Sequence, residues 1–415
     1  MIRIAFIVHG MQQGGIERSV TRIINGLDRS RFDPIVVCLD HSGPSSGWLP
    51  EDVSVIEVKK RSGNDLASIG RLASVLREHE IDLVQSHNWG TLIETVLARK
   101  LARIPAHIHA ERGTVLGQGA NGVWKYRFRA IAMRFALMTV NRVMSNAHAV
   151  AERVESGCGY PSSKIAIIPN GVPGGSRVGR NKSRRKVRQM LGIPDNAMLI
   201  GSVGRLHKVK GFDILIKAMV NVPDSVNLMI VGEGDQRTLL KDIAEQANVC
   251  NRVHFVGHQD EVAPWLLAMD GYVNSSRSEG MSQSIVEAMS IGLPIVATDV
   301  GDARRMLRRG ELVCGEICPP EDAIALANAI SEVFSDNDLC VRYGTNAVEF
   351  HRQFYSESMF VDSFQSLYVD TLGLSSGSTE LQLPAAAGMV ADIQSSFSIC
   401  SSRQGPAQSE REVTR

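Results

Sequence analysis

Two carboxylates eight residues apart, Glu279 and Glu287, bracket a short polar turn in the stretch Ser276-Arg277-Ser278-Glu279-Gly280-Met281-Ser282-Gln283-Ser284-Ile285-Val286-Glu287-Ala288-Met289. Glu279 follows a strand-like run, and Glu287 lies inside the helix that the pattern after the turn predicts. The turn itself, Gly280-Met281-Ser282, would offer backbone N–H groups at a helix N-terminus. Unsatisfied amides and the positive end of the helix dipole make such a place an anion site. Carboxylates only accept hydrogen bonds, so two of them beside an anion site point to a ligand with hydroxyls as well as negative charge. A sugar diphosphate has both.

A second strand-to-helix loop, Gly201-Ser202-Val203-Gly204-Arg205-Leu206-His207-Lys208-Val209-Lys210-Gly211, supplies cations. Arg205 can grip a phosphate with two parallel bonds, and Lys210 can act as a mobile point charge. Alone such a loop is ordinarily a solvated surface; beside hydroxyl-binding carboxylates it reads as a diphosphate clamp. Near the start, Gly14-Gly15-Ile16-Glu17-Arg18 opens the first helix after the first strand, where glycine lets a ligand approach backbone closely. A tight turn without ligand explains those glycines equally well, and they do not form the G-x-G-x-x-G fingerprint. His109, in His107-Ile108-His109-Ala110-Glu111-Arg112-Gly113, falls at a strand end expected to face a cleft, with a satisfied core histidine as the ordinary alternative. Glu111 and Arg112 are its neighbours on the acceptor side. Asp336-Asn337-Asp338 has the spacing of a metal-binding D-x-D, but it falls between late helices, away from every expected cleft loop, so no metal is expected.

The elements that must position these groups are legible as short apolar strands alternating with amphipathic helices, the pattern of parallel α/β sheets. Strands are expected at Ile4–Val8, Pro34–Cys38, Val53–Val58, Leu83–Ser86, Ala106–Ala110, Arg142–Ser145 and Lys164–Ile168, with helices such as Glu17–Leu27, Asp65–His79 and Trp124–Met138. After a turn-rich break at Pro169–Gly175 and a basic run at Arg177–Arg188, the alternation restarts. Met198–Val203, Val226–Val231, Val253–Val256, Gly271–Asn274, Pro294–Thr298 and Leu312–Ile317 read as strands. Gly211–Met219, Gln236–Ala247, Ser282–Ser290 and Glu321–Val333 read as helices. This divides the chain into a first doubly wound domain over 1–172, a basic linker over 173–196, a second such domain over 197–350, one further helix over 351–373 crossing back to the first domain, and a disordered tail over 374–415.

At 415 residues the chain exceeds one ordinary core. With a formal charge of +1 it carries no global attraction for nucleic acid, so any anion or membrane attraction must be local. Seven scattered cysteines without companion ligands read as reduced thiols packed as small hydrophobes. The opening run Ile2–Val8 is too short and strand-like for a signal peptide, and a cytoplasmic location is expected. The helix Trp124–Met138 aligns Trp124, Phe128, Ile131, Phe135 and Met138; we expect that face to meet the core, the alternative being a membrane-surface contact.

Taken in order, Gly204-Arg205-Leu206 with Lys210-Gly211, Glu279 and Glu287, and Gly292-Leu293-Pro294-Ile295-Val296-Ala297-Thr298 resemble the family 4 glycosyltransferases. The resemblance covers roughly Ile2 to Leu372. It implies a GT-B fold, two Rossmann-like domains across a cleft, and retaining, metal-independent transfer with no cofactor beyond the nucleotide-diphosphate sugar donor. It implies that Arg205 and Lys210 neutralise the diphosphate and that Glu279 contacts donor-sugar hydroxyls. Gly280, Met281 and Ser282 would offer amides, Glu287 would hold the ribose, and Gly14 and Gly15 would bring backbone against the phosphates. Gly257, in Val256-Gly257-His258, would lie at the base, and His109 would lie near the transferred sugar. The acceptor would be a saccharide or lipid-linked saccharide of bacterial surface polymer synthesis, met at the cytoplasmic face of the inner membrane. Two departures concern loops: Val172 is followed by Pro173 where the family often has Asp, and Gly301 by Asp302 where it commonly has a second glycine. A catalytically silent nucleotide-sugar-binding protein and a sugar-nucleotide epimerase are the rival readings. A nicotinamide-dependent oxidoreductase is disfavoured by the missing glycine fingerprint.

Overall fold

The computed structural model describes residues 1–12, 14–63, 65–113 and 123–374; the tail expected over 374–415 lies, beyond Leu374, outside the described residues. The first lobe runs β1 (Ile2–Val8), α1 (Gly15–Gly26), β2 (Phe32–Cys38), β3 (Val55–Glu57), α2 (Leu66–Glu78), β4 (Leu83–His87), α3 (Trp89–Ala102), β5 (Ala106–Glu111), α4 (Val123–Leu137), β6 (Arg142–Ser145), α5 (His148–Cys158) and β7 (Ile165–Ile167). Its seven strands are parallel, in the order β3-β2-β1-β4-β5-β6-β7. The apolar runs are continuous because helices cover both faces; Ile4 to Val8 are all buried, as an internal parallel strand requires.

The second lobe runs α6 (Arg180–Leu191), β8 (Met198–Val203), α7 (Phe212–Ala218), β9 (Val226–Val231), α8 (Arg237–Gln246), β10 (Val253–Gly257), α9 (Ala263–Ala268), β11 (Gly271–Asn274), α10 (Gln283–Ser290), β12 (Ile295–Thr298), α11 (Ala303–Leu307), the small hairpin β13 (Arg308–Arg309) and β14 (Leu312–Val313), β15 (Gly315–Cys318), α12 (Ala323–Ser335) and α13 (Asn337–Phe350). Its sheet is ordered β10-β9-β8-β11-β12-β15 and again parallel. In each sheet the strand order reverses once, between β1 and β4 and between β8 and β11. Crevices at the carboxyl ends of such strands are where doubly wound folds bind ligands.

The chain crosses between the lobes twice, side by side. Val172 and Ser356 form an isolated parallel bridge, with Val172 N–H donating to Tyr355 O at 3.0 Å and Glu357 N–H to Val172 O at 3.0 Å. After the second crossing α14 (Glu357–Thr371) packs on the first lobe, burying Phe360, Phe364 and Tyr368 with Phe6 and Phe32. Tyr368 meets the rings of Phe6 and Phe32 edge-on at 6.4 and 6.0 Å.

Four expectations need correction. The stretch 351–372 is not one helix: α13 continues through a widened π turn at His351–Tyr355, and extended Ser356 breaks it before capping the Met359 N–H of α14. Leu312–Ile317 is not one strand, because β14 turns back on β13 before β15 joins the sheet. The basic run is not a solvated linker: it folds as α6, where fully buried Arg188 donates to Asp270 Oδ2 at 2.7 Å and to Ala268 O at 2.9 Å, and Arg184 also pairs with Asp270. Finally, the aligned face of α4 looks away from the core. Trp124 is 82% exposed, Phe128 73%, Ile131 55%, Phe135 64% and Met138 65%, while Met133, Ala136 and Leu137 on the other side are buried with Val143 and Val154.

Candidate active site

The β8–α7 and β11–α10 turns lie side by side because β8 and β11 are neighbours at the reversal of the second sheet. That adjacency brings together the cation and the carboxylate separated by 69 residues. Lys210 Nζ donates to Glu279 Oε1 at 2.5 Å, and Ser276 Oγ donates to the same oxygen at 2.9 Å. Both charged side chains are about four-fifths covered. The approach depends on Gly211, whose φ of +64° sits in the left-handed region and whose absent Cβ would lie 2.0 Å from Ser275 O. Arg205, on the same turn as Lys210, is exposed and has no ion-pair partner among the described residues.

The turn after Glu279 leads into α10 as expected. Ser282 occupies the N-cap position, its Oγ accepting from Asn274 Nδ2 at 3.1 Å rather than from the helix amides. Met281 is buried, and its sulfur accepts the Asn170 N–H of the first lobe at 3.2 Å. Glu287 stands one turn further along α10, taking a bond from Gln283 Nε2 at 3.1 Å. Burial pushes its carboxyl above the ordinary range, against the pull of Gln283 and of Arg22 and Arg18 on α1 of the first lobe. Burial likewise lowers Arg22, opposed by Glu287 and Glu357; the guanidinium donates to Gly171 O at 2.8 Å. Sequence reasoning missed these two arginines as the groups facing Glu287.

On the first lobe, Gly14 is the N-cap of α1, and a Cβ on Gly15 would meet nothing within 4 Å. No packing within the described residues therefore demands glycine at position 15. In the second lobe Gly257 ends β10 at φ +78°, and its carbonyl accepts the Gly232 N–H at 2.8 Å. His258 beside it is exposed and lies 3.4 Å from Asp260.

His109 does not face an open cleft. It is fully enclosed in a polar row on one face of β5, with Ser86 Oγ 2.8 Å from both His109 Nδ1 and His107 Nε2. Burial holds His107 well below the usual imidazole range, so that ring is neutral. His109 Nε2 lies 3.6 Å from Glu111 Oε2, and neither that nitrogen nor either Glu111 oxygen has a hydrogen bond among the described residues. Residues 114–122, which follow this strand end, lie outside the described residues. Arg112 turns the other way. It lies half-buried beneath α14, bonded to Asn170 Oδ1 at 2.9 Å and 5.7 and 5.6 Å from the Phe360 and Phe364 rings. Burial lowers it to about 10. Its surroundings make it a tie between the first lobe and the returning helix rather than a neighbour of an acceptor.

Asp336, the first residue of the D-x-D spacing, caps α13 by accepting the Leu339 N–H at 3.0 Å. Among the described residues no group of three or more His, Cys, Asp or Glu side chains is placed to hold a metal ion. Nor is any helix among them long and apolar enough to cross a membrane.

Two parallel-sheet lobes joined by a double crossing, with charged turns at the sheet reversal, define a GT-B protein. The family model described as Glycosyltransferase Family 4 matches residues 13–173, and that described as Glycosyl transferases group 1 matches residues 183–350. The chain belongs to this glycosyltransferase family. It is 31% identical to the lipopolysaccharide core biosynthesis glycosyltransferase LpsE of Rhizobium meliloti, over 54% of this chain and 63% of that one. It is 25% identical to the Escherichia coli UDP-Gal:alpha-D-GlcNAc-diphosphoundecaprenol alpha-1,3-galactosyltransferase, over 89% and 97% of the two chains. The fold is that of HepE from Anabaena in complex with UDP and glucose, with a TM-score of 0.73, 23% identity, and coverage of 89% of this chain and 99% of that one.

Proposed function

We propose that this chain transfers a sugar, with retention of anomeric configuration, from a uridine-diphosphate sugar to a hydroxyl of a saccharide or lipid-linked saccharide in bacterial surface polysaccharide or glycolipid synthesis. The observation that carries the donor site is the Lys210–Glu279 pair at the sheet reversal, with exposed Arg205 beside it. Arg205 and Lys210 neutralise the diphosphate and stabilise the charge that builds on it as the glycosidic bond breaks. Fixed cations aimed at developing charge are the largest single contribution in many enzymes. Glu279, buttressed by Ser276, accepts bonds from donor-sugar hydroxyls while the amides of Gly280, Met281 and Ser282 face the anion. Glu287 accepts the ribose hydroxyls, with Arg18 and Arg22 closing over it from the other lobe. Gly14 and Gly15 bring first-lobe backbone to the phosphates, and the Gly257 turn meets the base. His109 backs the transferred-sugar site from inside the lobe, its Nε2 3.6 Å from Glu111 Oε2 and without a hydrogen bond among the described residues. The acceptor oxygen bonds the anomeric carbon from the side on which the carbon–oxygen bond to the diphosphate breaks, and its proton passes to the departing diphosphate, so no protein nucleophile takes part. Arg205 and Lys210 supply the positive charge there without a metal. Uridine is favoured by the names of the galactosyltransferase relative and of the HepE complex.

The exposed face of α4 supports a membrane-borne acceptor. At 3.6 residues per turn Trp124, Phe128, Ile131 and Phe135 fall on one stripe that Met138, just past the helix end, extends, with Arg127 and Arg134 exposed beside it. Such a helix lies in the interface of an anionic leaflet and presents the adjoining cleft to lipid-linked sugars.

A thermal-shift series against UDP-, GDP-, ADP- and dTDP-sugars tests the donor, since a ligand that binds only the native state raises the melting temperature. Stabilisation by uridine sugars, followed by UDP release on adding an acceptor extract, is the expected result. Stabilisation without turnover would make the chain a silent binding protein, and no response to any donor would remove the donor site.

A further inference from the structure

Helix α5 of the first lobe has no capping side chain of its own; its N-cap position is Ala147. The cap comes from the other lobe. Asp302 Oδ2 accepts the His148 N–H at 2.7 Å, and Oδ1 accepts the Ala149 N–H at 2.9 Å. The same residue's N–H donates to Gly280 O at 2.9 Å, in the turn that carries Glu279, and its carbonyl accepts the Met306 N–H at 2.8 Å to start α11. Asp302 is 7% exposed. Around it, Arg153 of α5 donates to Glu279 O, Arg305 of α11 pairs with Glu152 of α5 at 3.6 Å, and Gly280 lies so close to α5 that a Cβ there would be 2.6 Å from Val150 Cγ2. Gly301, at φ +59°, completes the fit: its absent Cβ would lie 2.4 Å from Gly280 O.

We propose that Asp302 is a positioning residue of the donor site, a helix cap reaching across the cleft that fixes the Glu279–Gly280 turn against α5 and holds the lobes together. Asp302 is also where the chain departs from the second glycine expected there. A glycine has no carboxylate to offer α5, so this mode of closure belongs to the side chain. The amides at the first turn of a helix and its positive dipole end favour a carboxylate at this place. Separation of the lobes breaks both bonds at once and leaves two helix amides, and a carboxylate whose remaining side-chain partner is Arg305 at 3.4 Å, to be rehydrated. The capped state is therefore the one in which Glu279 is held for the donor. This deepens the donor-site reading and rests on it only for the ligand used as probe.

The test compares the intact protein with Asp302→Ala and Asp302→Asn, using Asp299→Asn as a control on the same turn, since Asp299 pairs with Arg304 of α11 in its own lobe. Hydrogen exchange is read by mass spectrometry over residues 148–151 and 279–281. X-ray scattering gives the radius of gyration, and calorimetry gives UDP affinity. In Asp302→Ala both segments should exchange faster, the radius of gyration should rise, and UDP should bind ~10-fold more weakly because the competent state is less populated. Asp302→Asn, which keeps one acceptor, should fall between, and Asp299→Asn should match wild type. With a uridine-sugar donor the loss should appear in KM more than in kcat, which a merely destabilised fold would not give. Exchange and scattering like wild type in Asp302→Ala would overturn the proposal, and so would UDP affinity within twofold of wild type. If Asp302→Ala does not fold, Asp302→Asn is judged by the same criteria. If wild type does not bind UDP, the donor reading fails while exchange and scattering still decide the cap.

Discussion

Removing two aromatic rings from the outer face of α4 should detach the protein from membranes without disturbing its fold. Phe128 and Phe135 are 73% and 64% exposed, so little of either ring supports the core, and the double change Phe128→Ser with Phe135→Ser should alter stability by no more than about 0.5 kcal/mol. Fully burying a phenylalanine side chain is worth roughly 1.5–3 kcal/mol, so entry of the exposed fraction into the acyl boundary contributes about 1–2 kcal/mol for each ring. Together they account for about 2–4 kcal/mol, a fall of roughly 30- to 1000-fold in the partition constant. Sedimentation with phosphatidylglycerol-containing vesicles measures it directly. Arg127 and Arg134 each add about 1 kcal/mol near an anionic surface, so wild-type binding should also weaken in high salt or with phosphatidylcholine alone. If wild type does not sediment with anionic vesicles, or the double variant sediments equally well, the reasoning about this helix is wrong.

Glu287→Gln should separate stability from binding. Burial raises the folded-state pKa of Glu287, so its contribution is most favourable below the unfolded value and is lost as pH rises through the folded value. The glutamine variant should therefore melt at or above the wild-type temperature at pH 7.5, the difference vanishing below about pH 4 as wild-type Glu287 is protonated, while UDP affinity falls. A melting temperature clearly below wild type at pH 7.5 would contradict this. Gly211→Ala should cost at least about 2 kcal/mol in a denaturant titration, since a left-handed residue with a Cβ is strained and the new atom meets Ser275 O at 2.0 Å. Donor turnover should fall with it as Lys210 is displaced; a neutral effect on both would deny that this close approach positions the lysine.

The sheets were legible because internal parallel strands must be apolar throughout: the runs at Met198–Val203, Val226–Val231 and Gly271–Asn274 match β8, β9 and β11 residue for residue. The turns carrying Lys210 and Glu279 were legible for a related reason, since doubly wound sheets put their polar loops at the carboxyl ends of such runs. What the sequence hid lies in pairings that no local pattern encodes. Helix α4 is apolar on opposite sides, with Met133 and Leu137 against Trp124, Phe128 and Phe135, so its periodicity could not say which side meets the core. The basic run of α6 gave no hint that Asp270, far along the chain, neutralises buried Arg188. Arg112 resembled a cleft residue until α14 covered it. Asp302 did leave a trace, as a carboxylate where glycine was expected, but its partner amides on α5 could only be found in the folded chain.

The central claim is that Lys210 and Glu279 hold and activate a nucleotide-sugar donor, and the rate of UDP release from a uridine-sugar donor in the presence of acceptor, compared between wild type and Lys210→Ala, tests it most directly. Losing one preorganised charge donor costs roughly 100- to 1000-fold in kcat. The fold should survive, because a charge-assisted bond between partly covered side chains is worth only about 1.5–3 kcal/mol. A loss of that size in a variant that still melts cooperatively is the result expected. UDP release within threefold of wild type would contradict the assignment of the site.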